Sequence, residues 1–230
     1  MKKNILITGA AGNLGKAAVE KFLAEGNRVI ATVSPGKKLD YEVKGDVITY
    51  EADLTDEKAV EVLITKVIDN HQSIDAAVLL VGGFAAGNIE ATDGALLKKM
   101  YTLNFETAYF VVRPVFQQMK KQKTGGRIML IGSRPALIAK DGKGLLAYSL
   151  SKSLLFKLAE YLNAEGASHN IVTHVVVPST IDTPINRKAM PDADFSNWVA
   201  PEEIASILAF ISSDEGKSIR EGVVKVYGNA

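Results

Sequence analysis

Seven short apolar runs separated by helix-length stretches constrain this chain more than any other feature. The runs cover residues 4–8, 28–33, 47–51, 76–81, 127–131, 171–177 and 223–226. Several are near-continuous Val, Ile, Leu and Ala, the pattern of strands buried on both faces of a parallel sheet. Helical patterns fill the intervals at 14–25, 57–70, 96–121, 145–166 and 201–212. Such repeated alternation predicts an α/β, doubly wound parallel sheet of about seven strands with helices on both faces. A chain of 230 residues suits a single domain of this kind, and no repeat, low-complexity segment or linker divides it. Residues 34–45, rich in Lys, Gly and Pro, and 178–197, with three prolines, read as irregular. The second is long enough to be a lid.

Composition excludes several functions. Lys and Arg total 27 against 26 Asp and Glu, so no basic excess points to nucleic acid. The absence of cysteine rules out disulfides, thiolate metal sites and a Cys nucleophile, and agrees with a reducing cytoplasm. His71, His169 and His174 lack metal-ligand spacing, so no metal is expected. The apolar N-terminus runs into a Gly-rich turn within a few residues, which favours a first strand over a leader peptide. The run 76–81 is far too short to span a bilayer, and no membrane partner is expected.

The first strand ends in Thr8-Gly9-Ala10-Ala11-Gly12-Asn13-Leu14-Gly15 and is followed by an apolar helix. Free N–H groups and the dipole at that helix start favour an anion, and glycines let backbone and phosphate approach. Strand, Gly-rich turn and helix in this order make Gly9, Ala11, Gly12, Asn13, Leu14 and Gly15 a candidate pyrophosphate cradle for a dinucleotide. A turn kept for packing alone is the alternative. The second strand ends in Val33-Ser34-Pro35-Gly36-Lys37-Lys38, with no acid before Asp40 to take a ribose 2′-hydroxyl. Ser34 and Lys37 suit a 2′-phosphate, which favours NADP over NAD unless the lysines are simply solvated. Asp53, followed by Leu54, is placed either to accept from the adenine amino group or to cap the next helix. Geometry alone favours the cap.

Tyr148 and Lys152 stand four apart at the start of a helix and share one face. A nearby ammonium favours the phenolate, which makes Tyr148 a candidate proton donor to a carbonyl or imine receiving hydride. Ser133 follows the fifth strand, at the strand end where doubly wound sheets bind ligands, and its hydroxyl is placed to hold the substrate oxygen. Asn104, in the apolar setting Leu103-Asn104-Phe105, needs partners. It is read as relaying protons through water to Lys152, or as a satisfied amide that kinks its helix. Arg134 meets the substrate or stays on the surface. No G-x-S-x-G elbow is present.

Taken together, the Thr-Gly turn, Asp53, Asn104, Ser133, Tyr148-x-x-x-Lys152, Pro178 with Thr183, and Val223–Gly228 resemble the short-chain dehydrogenase/reductase family over nearly the whole chain. The resemblance implies a Rossmann-like sheet in the order 3-2-1-4-5-6-7. It implies catalysis by Asn104, Ser133, Tyr148 and Lys152, with Thr183 against the nicotinamide amide. It also brings Val81, Gly82, Gly83, Pro178, Thr180 and Ile181 to the cofactor, and a homodimer or homotetramer through the 96–121 and 145–166 helices. Val81–Gly87 and Ile181–Phe195 are similar to the dihydropteridine reductase branch of that family, where 178–197 closes over the substrate. Phe84, Phe195 and Trp198 are then candidates for its apolar wall. Ser133, and the missing acid after the second strand, depart from that branch, so a carbonyl substrate stands beside a quinonoid dihydropterin. The rival readings are a non-catalytic NAD(P)-binding regulator or scaffold, and an isomerase or dehydratase on the same fold.

Overall fold

Each apolar run becomes a strand of one sheet: β1 (Asn4–Thr8), β2 (Arg28–Val33), β3 (Val47–Glu51), β4 (Ala76–Leu79), β5 (Gly126–Ile131), β6 (Ile171–Pro178) and β7 (Val223–Val226). The computed structural model describes residues 2–229. All neighbouring strands pair in parallel, in the order β3-β2-β1-β4-β5-β6-β7. Successive side chains of a strand point to opposite faces, so a strand with helices on both sides must be apolar throughout. Ile5, Leu6 and Ile7 of β1 illustrate this, each with no exposed surface. Burying a side chain of that size contributes about 1.5–3 kcal/mol.

The crossovers are α1 (Asn13–Ala24), α2 (Glu57–His71), α3 (Gly94–Tyr101), α4 (Thr107–Lys121), α5 (Arg134–Leu137), α6 (Leu146–Gly166), α7 (Pro184–Ala189) and α8 (Pro201–Ser212). On one face Leu6, Ile30 and Leu130 meet Val60 and Leu63 of α2, Val111 of α4 and Leu155 of α6. On the other, Ile5, Val29, Val78 and Met129 meet Phe22 of α1 and Leu208 of α8. No helix among the described residues is long and apolar enough to cross a membrane.

Four local expectations change. The helix expected over 96–121 is interrupted by a π-turn at Thr102–Glu106, the segment that carries Asn104. Such wide turns insert one residue and often sit at functional sites. The 178–197 stretch is not wholly irregular, because Thr183 caps α7 and Pro184 occupies its first turn, where a missing N–H costs nothing. α5 has four residues, too few to show a period. β4 stops two residues before its apolar run ends, because the Leu80 N–H turns to the Thr8 hydroxyl at 3.0 Å. The chain thus leaves the sheet beside β1, where the crossovers reverse direction and a crevice opens at the carboxyl ends of the strands.

Candidate active site

The glycine-rich turn leaves β1 at this crevice. Gly9 has φ +68°, a left-handed conformation that side chains resist. Gly15 has no room for a side chain, since a Cβ there would lie 2.1 Å from the Gly9 carbonyl oxygen. That closeness seats α1 on its own turn. Gly12, the N-cap of α1, offers no side chain to the free N–H groups of the first turn, and no acid stands there. Bare N–H groups at a helix start attract an anion. Gly12 and Asn13 are exposed and Ala11 and Leu14 half-buried, so the cradle fits a dinucleotide pyrophosphate. Val81, across the crevice, would touch a Gly9 Cβ at 3.2 Å.

At the end of β2, Ser34-Pro35-Gly36-Lys37 closes a turn through Lys37 N–H to the Ser34 oxygen at 3.0 Å, and Ser34, Lys37 and Lys38 are exposed. The acid that the linear order lacks arrives from β3: Glu51 accepts the Gly36 N–H at 2.9 Å. Residues 34–45 fold back toward the cradle, and the Tyr41 hydroxyl donates to the Ala10 oxygen at 3.0 Å. Burial, with Glu20 and Asp40 nearby, pushes the Tyr41 phenol up to about 12. The cap of α2 is Asp56, which accepts the Lys58 N–H at 2.9 Å, so the capping role expected of Asp53 is corrected. Asp53 instead takes the N–H and hydroxyl of Thr55 at 2.9 and 2.7 Å, which hold its carboxyl below the usual range. It stays exposed, whereas the Leu54 side chain is sunk in the core and has only backbone to offer a cofactor.

The acid–base candidates converge at the ends of β4 and β5. Tyr148 lies in the first turn of α6 and Lys152 one turn on. The Lys152 ammonium donates to the Ile131 oxygen at 2.8 Å, and burial alone pulls its pKa down to about 8. A Cβ on Gly82 would lie 2.7 Å from Asn104 Oδ1 and 3.1 Å from Lys152 Nζ, so the two side chains meet beneath that glycine. Asn104, 1% exposed, is fully engaged. Its Oδ1 accepts from Gly83 N at 2.9 Å, and its Nδ2 donates to the Gly83 oxygen and to Ser151 Oγ, both at 3.0 Å. The amide is thus satisfied by protein partners, and its helix widens into a π-turn rather than kinking. Ser133 is buried, and its hydroxyl has no partner among the described residues.

The expected acidification of Tyr148 is corrected. Burial raises its pKa, because the phenolate loses solvation. A polar contact with Ser133, short of a formed hydrogen bond, works in the opposite direction. Lys152 donates instead to the β5 carbonyl of Ile131. Phe84, 66% exposed, stands edge-on to the Tyr148 ring at 5.1 Å between centres.

Residues 178–199 cover the same end of the sheet. Pro178 closes β6, and Thr180 and Ile181 pair with Val199. Thr183 Oγ1 accepts the Asn186 N–H at 3.2 Å and keeps its own hydrogen to donate. Arg187 holds Asp182 through two 2.6 Å contacts and lies 4.7 Å from the Phe195 ring centre. Phe195 packs against Trp198, the rings tilted by 53° with centres 4.7 Å apart.

The model of the short chain dehydrogenases matches residues 3–194. The chain belongs to this family. This short-chain dehydrogenase is an NAD(P)-dependent oxidoreductase. It is 32% identical over 192 residues to the Bacillus subtilis protein called uncharacterized oxidoreductase YuxG, covering 78% of this chain and spanning 27% of that one. It is 27% identical over 213 residues to the dihydropteridine reductase of Dictyostelium discoideum, covering 90% of this chain and 87% of that one. The ligand-free aldohexose dehydrogenase of Thermoplasma acidophilum superposes with a TM-score of 0.86 at 27% identity, over 99% of this chain and 92% of that one.

In this short-chain dehydrogenase, Asn104, Ser133, Tyr148, Lys152, Gly82, Gly83 and Phe84 share one locality. Arg134, read as meeting the substrate or staying on the surface, is engaged within the chain. Its Nε donates to Asp141 Oδ2 at 2.6 Å, and its Cζ sits 5.2 Å from the Tyr227 ring centre. Sequence reasoning missed Glu51, Tyr41, Asp141 and the Asp182–Arg187 pair. An Arg five residues after an Asp, across the Pro that starts a helix, was the one readable signal among them. Among the described residues no group of three or more His, Asp or Glu is arranged to hold a metal.

Proposed function

We propose that this enzyme reduces a carbonyl-bearing molecule or a quinonoid dihydropterin, with NADP(H) favoured over NAD(H). The observation that carries the reading is the unpartnered Ser133 hydroxyl, buried beside the Tyr148 phenol, whose ring the exposed Phe84 meets edge-on. A buried hydroxyl without a partner costs free energy that a substrate oxygen would relieve. The bound dinucleotide supplies hydride. Gly9, Ala11, Gly12, Asn13, Leu14 and Gly15 hold its pyrophosphate, and Ser34 and Lys37 receive its 2′ end. Asp53 and the Leu54 backbone flank the adenine. Val81, Gly82, Gly83, Pro178, Thr180, Ile181 and Thr183 line its remaining length.

Ser133 donates to the substrate oxygen or nitrogen and orients it toward Tyr148. Tyr148 gives up its phenolic proton as hydride arrives. Its raised pKa keeps that proton on the phenol until charge develops on the substrate. Lys152, held against β5, places a cation under this locality. Asn104 fixes the Gly82-Gly83 floor. Phe84 gives a flat ring a stacking surface, and Phe195 with Trp198 closes the apolar wall. Similarity to a protein named dihydropteridine reductase over 90% of the chain supports the pterin alternative. The helices α3, α4 and α6, which expose Tyr101, Tyr109, Leu150 and Leu154, carry the homodimer or homotetramer contact. The cysteine-free chain works in the cytoplasm.

The deciding experiment follows NADPH and NADH oxidation with quinonoid dihydropterin and a panel of aldehydes and ketones. Tyr148→Phe is expected to lower kcat by about 10²–10⁴-fold at unchanged NADPH affinity. A Tyr148→Phe enzyme that retains turnover removes the proton donor from the scheme. An inactive parent on every acceptor favours the regulator reading.

A further inference from the structure

Ser133 and Tyr148 come from different elements, and the span between them depends on the chain between β5 and α6. Arg134 follows Ser133 directly and opens α5. Asp141 lies in the loop that feeds α6, seven residues before Tyr148. The 2.6 Å pair between them joins the turn that carries Ser133 to the approach that carries Tyr148. Both side chains are about 30% exposed, so the pair is better shielded than an open surface bridge. Arg134 also lies over the Tyr227 ring, which fastens the clasp to the chain end beyond β7.

The loop around the pair has little slack. Ile138 N–H reaches the Arg134 oxygen at 3.0 Å, and Asp141 N–H reaches the Ile138 oxygen at 2.9 Å. A Cβ on Gly142 would lie 2.9 Å from both the Pro135 oxygen and Ser149 Oγ. On the far side, Gly87 N–H meets the Gly144 oxygen at 2.7 Å, and Leu146 N–H returns to the Gly87 oxygen at 2.9 Å. The loop is therefore held from Phe84's side by backbone, and from Ser133's side by one side-chain pair as well as α5.

We propose that Arg134 and Asp141 form a positioning clasp that sets the separation of the Ser133 hydroxyl from the Tyr148 phenol, and that Arg134 does not contact substrate. The inference rests on the roles given above to Ser133 and Tyr148. A displacement of about 1 Å in such a pair lowers turnover by up to about a hundredfold.

The test compares Arg134→Met, Asp141→Asn, Arg134→Lys and the reversed pair Arg134→Glu/Asp141→Arg, with Tyr148→Phe as control. Each is assayed with NADPH and the best acceptor of the panel, alongside NADPH affinity and Tm. Arg134→Met and Asp141→Asn are each expected to lower kcat between about ten- and a hundredfold. KM for the acceptor, NADPH affinity and Tm should stay close to the parent values, while Arg134→Lys and the reversed pair recover much of the loss. Unchanged kcat in both single variants overturns the clasp. So does a rise in acceptor KM for Arg134→Met alone, which marks a substrate contact. A joint fall of kcat, NADPH affinity and Tm marks a merely structural pair and overturns it too. An active Tyr148→Phe control, by contrast, defeats the proton-donor reading and is scored separately.

Discussion

Replacing Lys152 with Met should stabilise the fold while crippling the enzyme. The buried ammonium is held near pKa 8 against an ordinary 10.5. The folded state therefore binds this proton less tightly than the unfolded chain does. Below pH about 8 both states are protonated and the fold carries the full desolvation cost. The cost shrinks as pH rises from about 8 to 10.5 and vanishes above. At about 1.36 kcal/mol per pH unit the gap amounts to about 3 kcal/mol at pH 7. The bond from Lys152 to the Ile131 oxygen offsets about 1 kcal/mol of any gain, because its removal leaves that carbonyl unpaired. A net gain of about 2 kcal/mol raises Tm by roughly 4–8 °C in a chain of this length. Thermal unfolding of parent and Lys152→Met without cofactor, at pH 7 and pH 10, reads this directly. The advantage of the variant should be large at pH 7 and nearly gone at pH 10. Equal Tm at pH 7, or an advantage that grows with pH, refutes the reasoning.

Two further changes probe the cofactor end. Gly15→Ala puts a methyl 2.1 Å from the Gly9 oxygen, so α1 must lift; a stability loss of about 1–3 kcal/mol and weaker NADPH binding by fluorescence titration are expected. Glu51→Gln removes a carboxylate bonded at the β2 turn. A charge near a 2′-phosphate is worth about 1 kcal/mol in water, so the NADPH-to-NADH ratio of kcat/KM should rise about fivefold; an unchanged ratio places Glu51 away from the 2′ end.

The sheet was legible because short Val-, Ile- and Leu-rich runs alternate with helical periods, the pattern of strands covered on both faces. Residues 4–8, 28–33, 47–51 and 223–226 form strands over the bounds read from the sequence, although the edge strands β3 and β7 include Tyr50, Glu51 and Lys225 and are only partly buried. Residues 80–81 look the same in sequence but leave the sheet, because a hydroxyl 72 positions away takes the next N–H. The grouping of Tyr148, Lys152, Ser133 and Asn104 was likewise readable from residue type and family pattern. What was not readable depends on pairs far apart or on solvation. Glu51 reaches the β2 turn only because β3 lies beside β2. The phenol's pKa moves up rather than down because the folded chain buries it, and no spacing reveals that burial. Arg134 was assigned by its neighbour in sequence, and Asp141 claimed it in space.

The segment from Thr180 to Val199, which includes α7, has its two ends hydrogen-bonded to each other. Arg187 to Asp182, Asn186 to Ile181 and Phe195 to Trp198 fasten it within itself, while its ends Ile181 and Val199 pack into the core and Asn229 reaches the Ser196 oxygen. Such a piece behaves as a cassette. A different lid, grafted between the same paired ends, would leave the register of β6 and β7 alone and bring a new appetite to an unchanged hydride machine, which is how one scaffold can diversify its chemistry by exchanging a single segment.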